Sequence, residues 1–272
     1  MASKLKMPDG RPVRILVTND DGIYGPGLAV LEDIARALSD DVWVVAPQGE
    51  ESGASHSLTL ADPLRLREYN ERRFAVKGTP TDCVVMALKK VMPEPPDLVL
   101  SGVNRGQNLA DDVTYSGTIA AAMEGTALGI RSFALSQAFG FQKREKGEQP
   151  VIQWETARKH GPKVVARLFD LELGPGTLLN INFPDCPPDK VTGIEATSQG
   201  KRDQNLLVVD ERIDARGNPY FWLGFRREMS NPGEGTDLRA VMDHAISVTP
   251  LHLNLTQLDA LEALRQALRE KV

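Results

Sequence analysis

The feature that most constrains this 272-residue chain is an alternation, through its first half, of short apolar runs with stretches of helical period. Val13–Thr18 is a largely apolar run of strand length. Pro26 to Ser39 then sets Leu28, Leu31, Ile34 and Leu38 on one helical face. Asp41 to Ala46 is a second strand, stopped by Pro47, and Phe74–Lys77 is a short third. Thr81 to Val91 is helical with Val84, Val85 and Leu88 inward. Asp97–Ser101 is a strand, Thr118 to Leu128 an alanine-rich helix, and Ser132 to Leu135 a further strand. Strands that alternate with helices at this spacing form βαβ units around a mostly parallel sheet. The expected fold is therefore α/β, a three-layer Rossmann-like arrangement.

The second half is less regular. Residues 154–170 have helical character, bent at or starting from Gly161-Pro162, and Leu178–Phe183 is a strand ended by Pro184. From Cys186 to about Gly235 the chain is rich in Gly, Pro and charge, which predicts irregular structure with one or more hairpins. Ala245–Thr249 is a late strand. Thr256 to Val272 is an amphipathic helix with Leu258, Leu261, Leu264 and Leu268 on one face, and Thr256 with Asp259 suits a capping box. The polar stretch 140–150 is expected to be an exposed loop. The expected organisation is one α/β domain over 1–272, with residues from about 186 to 272 as an extension.

Composition excludes several classes. Lys and Arg number 32 against 37 Asp and Glu, a net charge of −5, which argues against a protein that grips nucleic acid by bulk charge. No apolar run approaches the roughly 18 residues of a membrane span. The start, through Pro-Asp-Gly-Arg-Pro, lacks the apolar core of a signal peptide. Two distant cysteines, Cys83 and Cys186, without a C-x-x-C pattern, fit a reducing cytoplasm.

In open α/β sheets ligands sit beyond the carboxyl ends of the strands, so the residues after each strand carry the functional information. The first strand runs into Asn19-Asp20-Asp21-Gly22. Adjacent carboxylates at a buried strand end repel each other, and a hard divalent cation, magnesium or manganese, relieves that repulsion. Asp-Gly is equally a common turn. The second strand leads into a hydroxyl-rich loop with Ser52, Ser55, His56 and Ser57; Ser52 suits a metal or phosphate, although an ordinary surface loop reads the same way. The Asp97–Ser101 strand leads to Asn104, Arg105 and Asn108. Asn offers a neutral oxygen or an oxyanion donor. Ser116-Gly117-Thr118 opens the alanine-rich helix, and small residues there expose backbone N–H groups to an anion. A plain Ser or Thr N-cap explains the same residues. Gly78-Thr79-Pro80-Thr81-Asp82 is expected to be a helix cap first.

Taken together, a metal beside an anion cradle is the equipment of phosphate-ester hydrolysis. Familiar alternatives fail. There is no G-x-x-x-x-G-K-[ST] and no G-x-G-x-x-G after the first strand. An aspartyl-phosphate enzyme would need Asp where Asn19 stands, and a carboxamide is no nucleophile, so water is the preferred attacker. His56, His160, His244 and His252 have no zinc spacing. Trp43 and Trp154 are expected to pack rather than stack on bases, and Trp222, in the irregular stretch, reads either way.

These stretches resemble the SurE family, the metal-dependent 5'/3'-nucleotidases. The resemblance rests on Arg14-Ile-Leu-Val-Thr-Asn-Asp20-Asp21-Gly-Ile23, Val45-Ala-Pro47 with Ser52-Gly-Ala-Ser55, Gly78-Thr-Pro-Thr-Asp-Cys83, Ser101-Gly-Val-Asn104-Arg-Gly-Gln-Asn108, and Tyr115-Ser-Gly-Thr118 before Ala120-Ala-Ala-Met-Glu-Gly125. Asn180-Ile-Asn-Phe-Pro184, Thr236-Asp237 and Ser247–Leu251 are also similar. The chain departs at Gln48, where members often carry Asp, and residues 1–13 extend beyond the usual start and are expected to be disordered or peripheral. The resemblance implies a SurE-like sheet with a hairpin-containing C-terminal extension. It implies one divalent metal per subunit, Mg or Mn, on Asp20, Asp21, Ser52 and Asn104. It implies a phosphate site at Asn108, Ser116, Gly117 and Thr118, with Asp20, Asp21 and Asn108 acting in catalysis. The substrates implied are nucleoside 5'- and 3'-monophosphates, with short polyphosphate permitted. Dimers, or tetramers of dimers, with exchanged C-terminal segments are implied too. The competing expectation is a metal-dependent nucleotide or phosphate sensor that binds without turnover.

Overall fold

A computed structural model describes residues 4–140, 151–202, 207–225 and 231–269. The expected loop at 140–150 lies, apart from Gly140, outside them. The first strand, β1 (Arg14–Thr18), is buried on both faces, as its run of Ile15, Leu16 and Val17 requires. Ile15 and Val17 point into one apolar layer and Leu16 into the other. α1 (Pro26–Leu38) follows, with a proline in its first turn and Leu28, Leu31, Ile34 and Leu38 buried. β2 (Asp41–Pro47) pairs with β1 in parallel.

Next come β3 (Arg65–Asn70), β4 (Arg73–Lys77) and α2 (Pro80–Met86), which continues into a π-helical turn at Ala87–Val91. The cap expected near Thr79 is present as a full capping box. Thr79 accepts from the Asp82 N–H, and Asp82 accepts from the Thr79 N–H. β5 (Leu98–Arg105), a 3₁₀ turn at Ala110–Thr114, α3 (Gly117–Ala127), β6 (Arg131–Gln137), α4 (Trp154–Phe169) and β7 (Thr177–Phe183) complete the central part. Beyond them lie β8 (Gly193–Ala196), the antiparallel pair β9 (Leu207–Ile213) and β10 (Pro219–Phe225), α5 (Asp237–Met242), β11 (Ala245–His252) and α6 (Leu258–Ala267).

Among the described residues nine strands form one sheet in the order β3-β4-β2-β1-β5-β6-β7-β11-β8. Only the β3–β4 and β7–β11 pairings are antiparallel among those of the sheet. α1 and α4 cover one face and α2 and α3 the other, giving the expected three layers. The winding turns one way from β1 to β2 and the other way from β5 to β6. The switch point therefore falls between β1 and β5, which pair directly.

The structure departs from several expectations. α4 runs unbroken through Pro162 rather than starting there. β3 was not foreseen: Arg-Leu-Arg-Glu-Tyr-Asn is an exposed edge strand with no apolar alternation. α5 is too short to show a period. α6 begins at Leu258, not Thr256. Its cap is Gln257, whose side chain accepts from the Ala260 N–H, so the Thr256–Asp259 box is not formed. The N-terminal stretch, where described, is fastened to the body. Leu5 N–H donates to Leu38, Leu5 and Met7 pack on the core, and Arg11 makes a bidentate pair with Asp97. Cys83 and Cys186 are free and buried. Among the described residues no helix is long and apolar enough to cross a membrane.

Candidate active site

The chain leaves β1 through a tight turn. Asn19 donates its side-chain N–H to the Gly22 carbonyl at 3.0 Å, and Gly22 takes φ +91°. A Cβ at Gly22 would lie 2.8 Å from the Gly49 carbonyl oxygen, so the turn needs glycine for both space and conformation. The loop after β2 is laced to this turn: Glu51 N–H donates to Asp20 O and Ile23 N–H to Pro47 O, each at 2.8 Å. The turn reading and the ligand reading of Asn19–Gly22 are thus compatible, because the turn is what presents Asp20 and Asp21.

Asp20 is 5% exposed, and its Oδ1 accepts from the Thr118 hydroxyl at 2.6 Å. α3 approaches it so closely that a Cβ at Gly117 would fall 2.8 Å from Asp20 Cβ. Burial pushes the Asp20 carboxyl up to about 6, the Thr118 hydrogen bond opposes this, and the neighbouring charge of Asp21 adds to it. Asp21 is also raised, by burial and by the charge of Glu50, against the Arg105 N–H that it accepts at 3.3 Å.

The end of β5 supplies the next side chains. Asn104 gives its amide N–H to the Gly106 carbonyl at 2.9 Å, which leaves its oxygen as the ligand-type atom. Asn108 is held from several sides. Its side chain donates to Ser136 Oγ at 2.8 Å, its N–H donates to Asn182 Oδ1 at 2.9 Å, and its carbonyl accepts from Asn180 and Asn182. Ala110 follows in the left-handed region at φ 52°, a conformation that costs an L-residue roughly 1 kcal/mol. Its N–H is taken by buried Asp237 at 2.8 Å and its carbonyl by Gln199 at 2.9 Å. Ser116 caps α3, accepting from Ile119 N–H at 3.1 Å. The capping reading of Ser116 is therefore realised, on a residue that also faces the crevice.

These pieces line an open crevice at the switch point. Asp20, Asp21, Ser52, Asn104, Asn108 and Ser116 all border it. Gly117 and Thr118 stand behind Asp20, with the Thr118 hydroxyl given to that carboxylate. Ser52 donates to Glu50 at 3.0 Å. His56 is occupied by Glu124 at 3.0 Å and does not border the crevice. Sequence reasoning gave no role to Glu50, Gln107, Asp112, Tyr115 or Arg202, which also line it. The supporting pair Asn180 and Asn182 did carry a signal: two amides at i and i+2 on an otherwise apolar strand share one face.

The donor set suits a hard cation. Carboxylates Asp20, Asp21, Glu50 and Asp112 face guanidiniums Arg105 and Arg202, leaving an excess of negative charge. Among the described residues no three or more His, Cys, Asp or Glu side chains cluster to hold a metal. A cation here would have to combine the two raised carboxylates with neutral oxygens such as those of Ser52 and Asn104, an oxygen set that fits magnesium or manganese. Buried oxygens without a partner collect nearby, at Thr18, Asn19, Ser101 and Gln107.

A family profile described as Survival protein SurE matches residues 15–206. The chain belongs to the SurE family. A relative from Methylobacterium sp. (strain 4-46), named 5'-nucleotidase SurE, is 59% identical over 94% of this chain and 100% of its own. One of the same name from Parvibaculum lavamentivorans is 59% identical over 95% of this chain and 92% of its own. The crystal structure of a SurE protein from Aquifex aeolicus superposes with a TM-score of 0.78 at 38% identity, covering 93% of this chain and 99% of that one. Every crevice residue named above falls inside the range matched by the SurE profile. The β9–β10 pair, α5 and α6 lie beyond it.

Proposed function

We propose that this chain is a metal-dependent 5'-nucleotidase that hydrolyses nucleoside monophosphates, with 3'-nucleotides and short polyphosphate as further substrates. The observation that supports it best is the meeting, in one crevice, of a raised carboxylate pair, two neutral oxygen side chains and the start of α3. The relatives' name, 5'-nucleotidase SurE, supports the nucleotidase part of it. One divalent ion per subunit, Mg or Mn, would be held by Asp20, Asp21, Ser52 and Asn104; when bound it supplies charge neutralisation at the phosphoryl group and a more acidic water. The Asp20–Asp21 pair orients the attacking water. Asn108 and the backbone N–H groups of Ser116 and Gly117 bind the equatorial phosphate oxygens as charge develops, while the Thr118 N–H is given to Asp20. Thr118 has a second task, since its hydroxyl holds Asp20 in place. The free, buried cysteines support a cytoplasmic setting.

The test is phosphate release from a panel of 5'- and 3'-nucleoside monophosphates and short polyphosphate, with Mg, with Mn and with excess chelator. Release that needs the metal is expected. Binding of nucleotide with no release under either metal would favour a sensor instead. Ser116→Ala is expected to lower the melting temperature by the equivalent of about 1 kcal/mol through the lost cap. Its activity should fall about tenfold or less, because the backbone donors remain. Full activity would mean that the hydroxyl only caps.

The part from about residue 186 onward acts, in this reading, as an oligomerisation extension. Phe221, Trp222 and Leu223 on β10, and Leu258, Leu264 and Leu268 at the α6 end of the chain, are exposed, and α6 has no buried residue. A dimer or tetramer with exchanged C-terminal segments covers such surface. Light scattering on the purified protein should give two or four copies. A monomer at micromolar concentration would contradict this.

A further inference from the structure

Arg202 stands apart from the groups used so far. It comes from the stretch that follows β8, far from every strand end that builds the crevice, yet it lines that crevice beside Asn108, Tyr115 and Ser116. It is also held in place. Its backbone N–H donates to Asp111 Oδ2 at 3.0 Å. Its guanidinium makes a two-point pair with Asp112, through Nε at 3.2 Å and through Nη2. The residues just before it are anchored as well, Gln199 to the Ala110 carbonyl and Gly200 N–H to Asp237, each at 2.9 Å. The guanidinium side chain is only 16% exposed.

A guanidinium carries five N–H donors in a fixed plane, and Asp112 takes two of them in these contacts. A cation already immobilised by a carboxylate loses little further freedom when a ligand arrives. Because its charge is balanced by Asp112, it suits neutral acceptors such as hydroxyls and ring nitrogens better than a phosphate dianion. Tyr115, half-exposed, brings an aromatic ring to the same crevice. An aromatic ring beside a planar donor is the equipment that recognises a nucleoside.

We propose that Arg202, oriented by Asp112 and flanked by Tyr115, is a specificity-determining residue that contacts the nucleoside part of the substrate and selects nucleotides over small phosphate esters. The proposal rests on the nucleotidase reading. It predicts that Arg202→Gln lowers the ratio of kcat/KM for adenosine 5'-monophosphate to that for glycerol 2-phosphate by about tenfold, the size of one lost hydrogen bond. Most of the change should appear in the nucleotide KM. Asp112→Asn, which loosens the guanidinium without removing it, should move the same ratio in the same direction by less.

Calorimetry with Mn present separates the possible failures. Arg202→Gln should weaken binding of adenosine 5'-monophosphate and leave inorganic phosphate binding near the wild-type value. An equal loss for both ligands, or for both substrates, would mean that Arg202 only supports the crevice wall, and would overturn the proposal. No change in either would overturn it too. Wild-type protein that binds the nucleotide but releases no phosphate would sink the nucleotidase reading alone, and the binding comparison would still decide the role of Arg202. Wild-type protein that binds neither ligand would sink both.

Discussion

Asp20→Asn is expected to reduce metal-dependent phosphate release by on the order of a hundred- to a thousandfold, while making the metal-free protein more stable. The two effects have one cause. Asp20 is buried beside Asp21, and its carboxyl sits at about 6 rather than the usual 3.8. The fold therefore holds that proton more tightly than the unfolded chain does. The stabilisation from this is full below about pH 4 and is lost as pH rises through about 6. At pH 7.5 the ionised, metal-free site carries a penalty on the order of 2–3 kcal/mol, which an amide does not. Asn keeps an oxygen to accept from Thr118, so the local hydrogen bond survives. Melting curves in chelator at pH 7.5 should show the variant above wild type, the gap closing toward pH 4. Added Mn should raise the wild type and leave the variant unmoved. A variant that melts lower than wild type in chelator, or that turns over normally, would contradict the assignment of Asp20.

Asn182→Leu is expected to destabilise the protein by on the order of 2–5 kcal/mol and to lower turnover with it. Asn182 lies on β7 with no exposure, and its amide spans three partners: Asn108 N–H, Asn108 carbonyl and Asn180 Oδ1. Leucine fills much of the same volume but leaves the Asn108 N–H and Asn180 Oδ1 unpaired in a dry interior, each costing about 1–3 kcal/mol, while the Asn108 carbonyl keeps Asn180. The comparison variant is Ile181→Val on the same strand, which trims a core methylene for about 1 kcal/mol and touches no group of the crevice. Urea titration should rank the two, and kinetics should separate them. A fall in kcat confined to Asn182→Leu is expected, because Asn108 loses its anchor. Equal kinetics for the two variants would mean that the amide array stabilises the sheet without aiming Asn108.

The central strands were readable because a strand covered on both faces must be apolar at nearly every position, as Ile15–Val17 and Leu98–Leu100 are. The turn at Asn19–Gly22 was readable because only glycine takes the conformation it needs there. β3 was not readable, since one face of an edge strand meets water and Arg65, Arg67 and Glu68 carry no alternation. At the crevice, Asp20, Asp21, Ser52, Asn104, Asn108 and Ser116 follow strand ends or precede a helix, and topology brings such positions together. Arg202 and Asp237 arrive from the irregular stretch, where no period or motif says which way the chain returns. The cap of α6 moved by one residue, and the Thr256 N–H that a box would give to Asp259 donates to Asn254 Oδ1 instead, a local competition that spacing alone does not rank.

The wall from Asn108 to Asp112 is fastened by groups that come much later in the polypeptide. Asn182 lies 74 residues beyond Asn108, and Asp237 lies 127 beyond Ala110. Synthesis proceeds from the amino end, so a ribosome completes the carboxylate pair, the serine loop and the start of α3 while the bracing of this wall is still unwritten. A nascent chain stopped before Asn180 holds the reactive groups without the amides that aim Asn108, and the Ala110 N–H gains its carboxylate partner only when Asp237 has been added.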